Sequence, residues 1–268
     1  MFNNIAQNSG VMRKNIGTST WATDKILRSA LASKITYKYD SSKMKLLHGR
    51  DKCGDECKII EVADKSWPTY AYIWRTGETS ALVAFRGSRG YKDLLHLAST
   101  SFQSIDFHGF EVHKATYDIF DNVKDQLTDF FDKTGVQNIT FSGHSIGASC
   151  AKLASVHFKL ENPKYNISAH LFGAPQIGYS DFNTWTYNTL DEIYEIANRN
   201  DPVCNICLIG KPLFTDSGTV NDFIVIGDEV IHNKDTFLIA HNLDTYISNI
   251  VLNIYFEYEP KIQTKSSL

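Results

Sequence analysis

Apolar positions along the chain alternate between two periods. Over residues 21–35, Ile26, Leu27, Ala30, Leu31 and Ile35 fall on one face of an amphipathic helix, and residues 40–55 then turn polar and loop-like. Three strand-like runs follow at residues 58–63, 69–75 and 80–86, the last two joined by a hairpin turn at 76–79. Residues 110–131 return to the helical period through Val112, Ala115, Ile119, Val123, Leu127 and Phe130. A run rich in β-branched residues at 136–142 precedes a second helical pattern carried by Ile146, Cys150, Leu153, Ala154 and Phe158. Short strands are expected at 167–172 and 192–197, a hairpin at 223–226 and 229–231 around Gly227-Asp228, and a last helix within 238–254.

Strands alternating with helices beyond residue 80 predict an α/β fold, with a mostly parallel central sheet and helices on both faces. With no repeat, low-complexity tract or linker, residues 1–268 are expected to form one domain, the Asn-rich residues 1–17 being loosely held.

An apolar content of 43% suits a sizeable core, and a net charge of −3 gives no electrostatic reason to expect nucleic acid as a partner. No uninterrupted apolar run is long enough for a transmembrane segment. The first eight residues lack a charged segment followed by an apolar run, so a cytoplasmic location is expected. Cys53 with Cys57 and Cys204 with Cys207 form two close pairs, but no flanking pattern supports a zinc site, and free or buried thiols are expected. Neither a metal nor an organic cofactor is expected.

Gly143-His144-Ser145-Ile146-Gly147 is a G-x-S-x-G pentapeptide between a strand-like and a helix-like run. A strand turning abruptly into a helix exposes the serine hydroxyl beside the helix N-terminus, and the flanking glycines let neighbouring backbones approach. Serine is a weak nucleophile until a base takes its proton, so a histidine and a carboxylate are expected elsewhere. In such sheets the partners follow the nucleophile in the order acid, then histidine. Four histidines lie beyond Ser145: His157 falls inside the following helix, His170 inside a strand, His232 at the end of a hairpin strand, and His241 after an apolar run. His241 is favoured, with His232 the alternative. Asp201, held on a turn by Pro202, is favoured as the acid over Asp191, Asp216 and Asp222. The oxyanion of a tetrahedral intermediate needs preorganised donors. The backbone N–H of Ile146 is one, and Ser88, on the Gly-Ser turn after a strand, is the other.

Five segments in order resemble the class 3 (fungal-type) lipase family: residues 83–88, 143–148, 172–178, 198–203 and 240–246, with similarity spread over roughly residues 20–250. The resemblance implies an α/β-hydrolase fold and a serine lipase or esterase that hydrolyses acylglycerol esters through an acyl-enzyme. It implies Ser145 as nucleophile, Asp201 as acid, His241 as base, and Ser88 with Ile146 as oxyanion donors. A phospholipase A1 or galactolipase is the alternative within enzymes, and a catalytically silent binding module the alternative outside them. A lipid ester is the implied partner, met at a lipid–water interface if residues 89–107 form an amphipathic lid through Tyr91, Leu94, Leu95, Leu97 and Ala98. The disulfides and leader of secreted fungal members have no counterpart in this pattern, and Cys204-Asn205-Ile206-Cys207 replaces the family's proline-rich continuation.

Overall fold

The computed structural model describes residues 20–38, 56–61, 70–88, 103–198, 201–206, 208, 224–226 and 239–256. Seven strands form one sheet in the order β1-β2-β3-β6-β7-β8-β9. Strands β1 (Glu56–Glu61), β2 (Tyr70–Arg75) and β3 (Ser80–Phe85) pair antiparallel. From β3 onward β6 (Asn138–His144), β7 (Asn166–Phe172), β8 (Glu192–Asn198) and β9 (Ile224–Ile226) run parallel. The inner strands are largely buried on both faces; β3 is a nearly continuous apolar run, whereas β6 and β7 carry buried polar residues, Ser142 and His170 among them, between their apolar ones.

Helices α2 (Lys114–Thr134) and α3 (Ile146–Glu161) cover one face, over a core that includes Val83, Phe85, Phe120, Leu127, Phe141, Leu153 and Leu171. Helices α1 (Thr20–Ile35) and α5 (Leu243–Phe256) cover the other, around Ile26, Ala30, Phe172, Ile196, Tyr246 and Ile250. The short α4 (Ser180–Thr189) links β7 to β8. Among the described residues no helix is long and apolar enough to cross a membrane.

Four expectations change. The buried stripe of α1 excludes Leu31, which is 45% exposed, and beside Ile26 it carries the small and hydroxyl-bearing Ser29, Ala30, Ala32 and Ser33. Ser29 Oγ lies 2.7 Å from His170 Nδ1 and Ser33 Oγ 2.8 Å from Ser142 Oγ, so polar groups on the sheet are met by hydroxyls on the helix. The helix expected from residue 110 starts at Lys114, because residues 104–113 form a separate two-stranded hairpin, β4 (Ser104–Phe107) with β5 (Phe110–His113). Its turn, His108-Gly109, has φ of 52° and 86°, the left-handed pair that matches the twist of a tight hairpin. Of the region 89–107 expected to hold a lid, residues 104–107 are thus strand, and the helix expected through Tyr91, Leu94, Leu95, Leu97 and Ala98 lies outside the described residues. Finally, β9 joins β8 in parallel at the sheet edge, while residues 229–231, its expected hairpin partner, lie outside the described residues.

Candidate active site

The carboxyl ends of β3, β6, β7 and β8 share one edge of the sheet, where open α/β sheets gather ligand-binding and reactive groups. Ser145 stands between β6 and α3 with φ 60° and ψ −134°, one of two non-glycine residues with positive φ among those described. Such backbone costs about 1–3 kcal/mol and persists only where its surroundings hold it. Here the Ser145 N–H donates to the Phe172 carbonyl at 2.9 Å, and the Ser145 carbonyl accepts from Ala148 N at 2.9 Å. The two flanking glycines serve close approach. A Cβ on Gly143 would stand 2.2 Å from the Gly147 carbonyl oxygen, and one on Gly147 would stand 2.5 Å from that of Phe85.

The structure brings Ser145, His241 and Asp201 into one hydrogen-bonded chain. His241 Nε2 lies 2.9 Å from Ser145 Oγ, and His241 Nδ1 lies 2.8 Å from Asp201 Oδ2. Asp201 can only accept, so Nδ1 carries the proton and Nε2 is left to accept from the serine hydroxyl. Asp201 is buried three residues beyond β8 and takes two further hydrogen bonds: from the Tyr246 hydroxyl at 2.5 Å on Oδ2 and from the Val203 amide at 2.9 Å on Oδ1. Burial by itself would raise the Asp201 carboxyl. The hydrogen bonds and charge of His241, with those of Tyr246 and Val203, outweigh it and hold the group below the ordinary carboxylate value.

Ser88 lies three residues past the end of β3, half-buried, and its hydroxyl meets no hydrogen-bond partner among the described residues. Strand β3 runs beside β6, with Phe85 opposite Gly143, so this turn emerges at the same edge as Ser145. Ile146 is the first residue of α3, where a helix leaves its amides without intrahelical acceptors. The competitors sit elsewhere. Asp191 binds Lys159 and the Ile167 amide, and His170 lies between Ser29 and Glu192. His157 lies within α3, facing His108, and His232, Asp216 and Asp222 fall outside the described residues.

Three supporting groups were not read from the sequence. Tyr246, on the first turn of α5, caps Asp201; a helix beginning just after the histidine is the only signal that would have pointed to it. Phenylalanine at position 246 is expected to lower kcat/KM on a soluble ester about tenfold, the worth of one charge-assisted hydrogen bond, and an unchanged rate would remove Tyr246 from the site. His144 bridges Tyr37 and the histidine loop: its Nε2 donates to the His241 carbonyl at 2.8 Å, and its Nδ1 lies 2.8 Å from the Tyr37 hydroxyl. Asn198, at the end of β8, donates to the Ala240 carbonyl at 2.8 Å.

Burial, reinforced by the neighbouring His241, pushes His144 down to about 3, and burial also lowers His170 against the pull of Glu192. A histidine depressed in the folded state keeps its contribution above its unfolded value and loses it as pH falls below that value. His144 should therefore reduce stability by about 1.4 kcal/mol per pH unit below roughly pH 6.5, and His170 adds to the loss in the same direction. Asp201, with its lowered carboxyl, adds to the loss only below the ordinary carboxylate range of roughly pH 4. Urea midpoints are expected to fall steadily from pH 6.5 to 4.5, and flat midpoints over that window would contradict neutral burial of these histidines.

A family model described as Lipase (class 3) matches residues 82–211. The chain is 23% identical over 166 residues to a secreted mono- and diacylglycerol lipase of Malassezia globosa, MDL3, covering 56% of this chain and 54% of that protein. A second Malassezia globosa protein of the same description, MDL2, is 27% identical over 95 residues, covering 35% of this chain and 31% of that one. The chain thus spans about half the length of MDL3 and less of MDL2. Among solved structures, the lipase from Rhizopus microsporus var. chinensis superposes with a TM-score of 0.60 at 16% identity, covering 95% of this chain and 94% of that one. A triacylglycerol lipase described as having a serine protease triad as its catalytic centre also gives 0.60, at 16% identity over 85% and 93%. These likenesses identify the α/β-hydrolase fold. The cytoplasmic location expected from the first residues is corrected: both Malassezia relatives are secreted, which points outside the cell.

Proposed function

We propose, from the premise that this chain belongs to the class 3 lipase family, that it is a serine lipase acting on acylglycerols, with Ser145 as nucleophile. The observation that carries this reading is the hydrogen-bonded chain from Asp201 through His241 to a serine on a strained turn. His241 Nε2 takes the Ser145 proton as Oγ attacks the ester carbonyl. Asp201 holds the imidazole in the required tautomer and stabilises its charged form. The Ile146 N–H and Ser88 receive the negative charge that develops on the carbonyl oxygen, Ser88 with a hydroxyl that has no other partner among the described residues. His241 then returns the proton to the leaving alcohol, and water, activated the same way, releases the acyl group.

Mono- and diacylglycerols are the proposed substrates, by likeness to the Malassezia proteins, met at a lipid–water interface. The test is hydrolysis of p-nitrophenyl butyrate, p-nitrophenyl palmitate and an emulsified monoacylglycerol, with a fluorophosphonate probe alongside. Release of fatty acid and labelling at Ser145 are expected. A chain that neither labels nor turns over any of the three would be a silent binding module instead.

A further inference from the structure

Far from Ser145, three metal-binding side chains converge on the outer face of α3. His157 and Glu161 stand one helical turn apart on that helix, and His108 reaches them from the β4–β5 turn. His108 Nε2 lies 3.1 Å from His157 Nδ1, and every pair of potential ligand atoms in the trio lies within 4.8 Å. Two nitrogens held by a single tetrahedral zinc at the usual bond length would stand about 3.3 Å apart, so the histidine pair is already at near-coordinating distance. Rotation of the exposed Glu161 side chain brings in the third ligand. The exposure of His108 and Glu161 leaves a path for an ion.

The surroundings fix this geometry. The His157 ring is wedged among Phe107, Phe120 and Phe158, with centroids 6.4, 5.4 and 5.1 Å away, so its orientation is set by packing. His108 holds a left-handed backbone, φ 52°, at the first position of a two-residue hairpin turn. Histidine, like asparagine, adopts this left-handed backbone more readily than most non-glycine residues, so the turn holds the imidazole without displacing the hairpin. Lys124 also acts on His157 and opposes a cation, but its ammonium is paired with Asp121 at 2.6 Å.

We propose that His108, His157 and Glu161 form a binding site for a divalent transition-metal ion of the zinc class, with water completing the coordination, and that the ion clamps the β4–β5 hairpin to α3. Two imidazoles and one carboxylate are the donor set that such ions prefer, whereas magnesium and calcium ask for oxygens. The site lies roughly 16 Å of helix rise from the start of α3, so it stands apart from the serine chemistry.

The experiment uses the full chain, stripped with EDTA and dialysed, titrated with zinc chloride by calorimetry and followed by thermal unfolding. Wild type is compared with His108→Asn, which keeps the turn, and Glu161→Gln. One zinc per chain and a rise in Tm are expected for wild type. Both variants should bind at least roughly tenfold more weakly and lose the rise in Tm, with apo stability and ester hydrolysis intact. Cobalt in place of zinc should give a visible spectrum without thiolate charge-transfer absorption, which separates this site from the cysteines. Equal zinc affinity in wild type and both variants, or no rise in the wild-type Tm with zinc, would overturn the site. The histidine pair would then be a plain hydrogen bond.

Discussion

Alanine at position 145 is expected to reduce ester turnover by about five to six orders of magnitude while leaving the protein folded. On the proposed mechanism the size follows from the coupling of the three groups: without the serine hydroxyl, His241 and Asp201 have nothing to activate, and removal of one member of such a set costs nearly as much as removal of all. The fold should survive because, among the described residues, the serine side chain makes a single hydrogen bond, to His241, and alanine keeps the same Cβ. The backbone hydrogen bonds to Phe172 and Ala148 that hold the turn are untouched. Circular dichroism and Tm should match wild type within a degree or two. Residual activity within tenfold of wild type would assign the chemistry to another group.

Alanine at position 152 should cost about 3–5 kcal/mol of stability, as removal of one partner from a buried ion pair does, and lower Tm by about 10 °C. The Lys152 ammonium, on α3, lies 2.5 Å from Glu195 Oε1 on β8 and 2.8 Å from Asn183 Oδ1 on α4, with both charged side chains almost fully buried. It also sits over the rings of Phe182 and Tyr187. The variant strands the Glu195 carboxylate in the interior. Replacing both charges together, Lys152→Met with Glu195→Leu, should recover most of the loss, because no orphaned charge remains. Urea unfolding of the two single variants and the double variant measures the coupling. Losses that simply add would show that the pair does not act as a unit. The pair joins the helix that follows Ser145 to the strand that precedes Asp201, so a loosened pair should also lower kcat.

Local chemistry was open to reading in the sequence. The G-x-S-x-G turn, the β-branched runs of β6, β7 and β8, and the period of α3 each depend on residues within one element, so spacing alone located them. The order of acid and histidine after the serine left four histidines, and local setting, an apolar run before His241 and a turn fixed by Pro202 after Asp201, favoured these two over their competitors. Hidden from such reading was whatever depends on contacts across the fold. Nothing local in a helix pattern marks Lys152, or in a strand marks Glu195, as halves of one buried pair. The β4–β5 hairpin escaped because Val112 and Ala115 also fit a helical period, and short apolar runs suit either state. Leu31 was assigned inward by the same period, yet sheet polar groups at Ser142 and His170 recruited the serine face of α1 instead.

The chain by itself determined its α/β class, the position of the strained serine and the sequence order of its partners. Those follow from periodicity, and from a turn that only small neighbours permit. Tertiary structure alone decided that Tyr246 caps the acid, that His144 braces the histidine loop, and that His108 meets His157. These are contacts between residues 45, 97 and 49 positions apart. Such pairs have no sequence period, and only the packing of helices onto the sheet brings them within bonding distance.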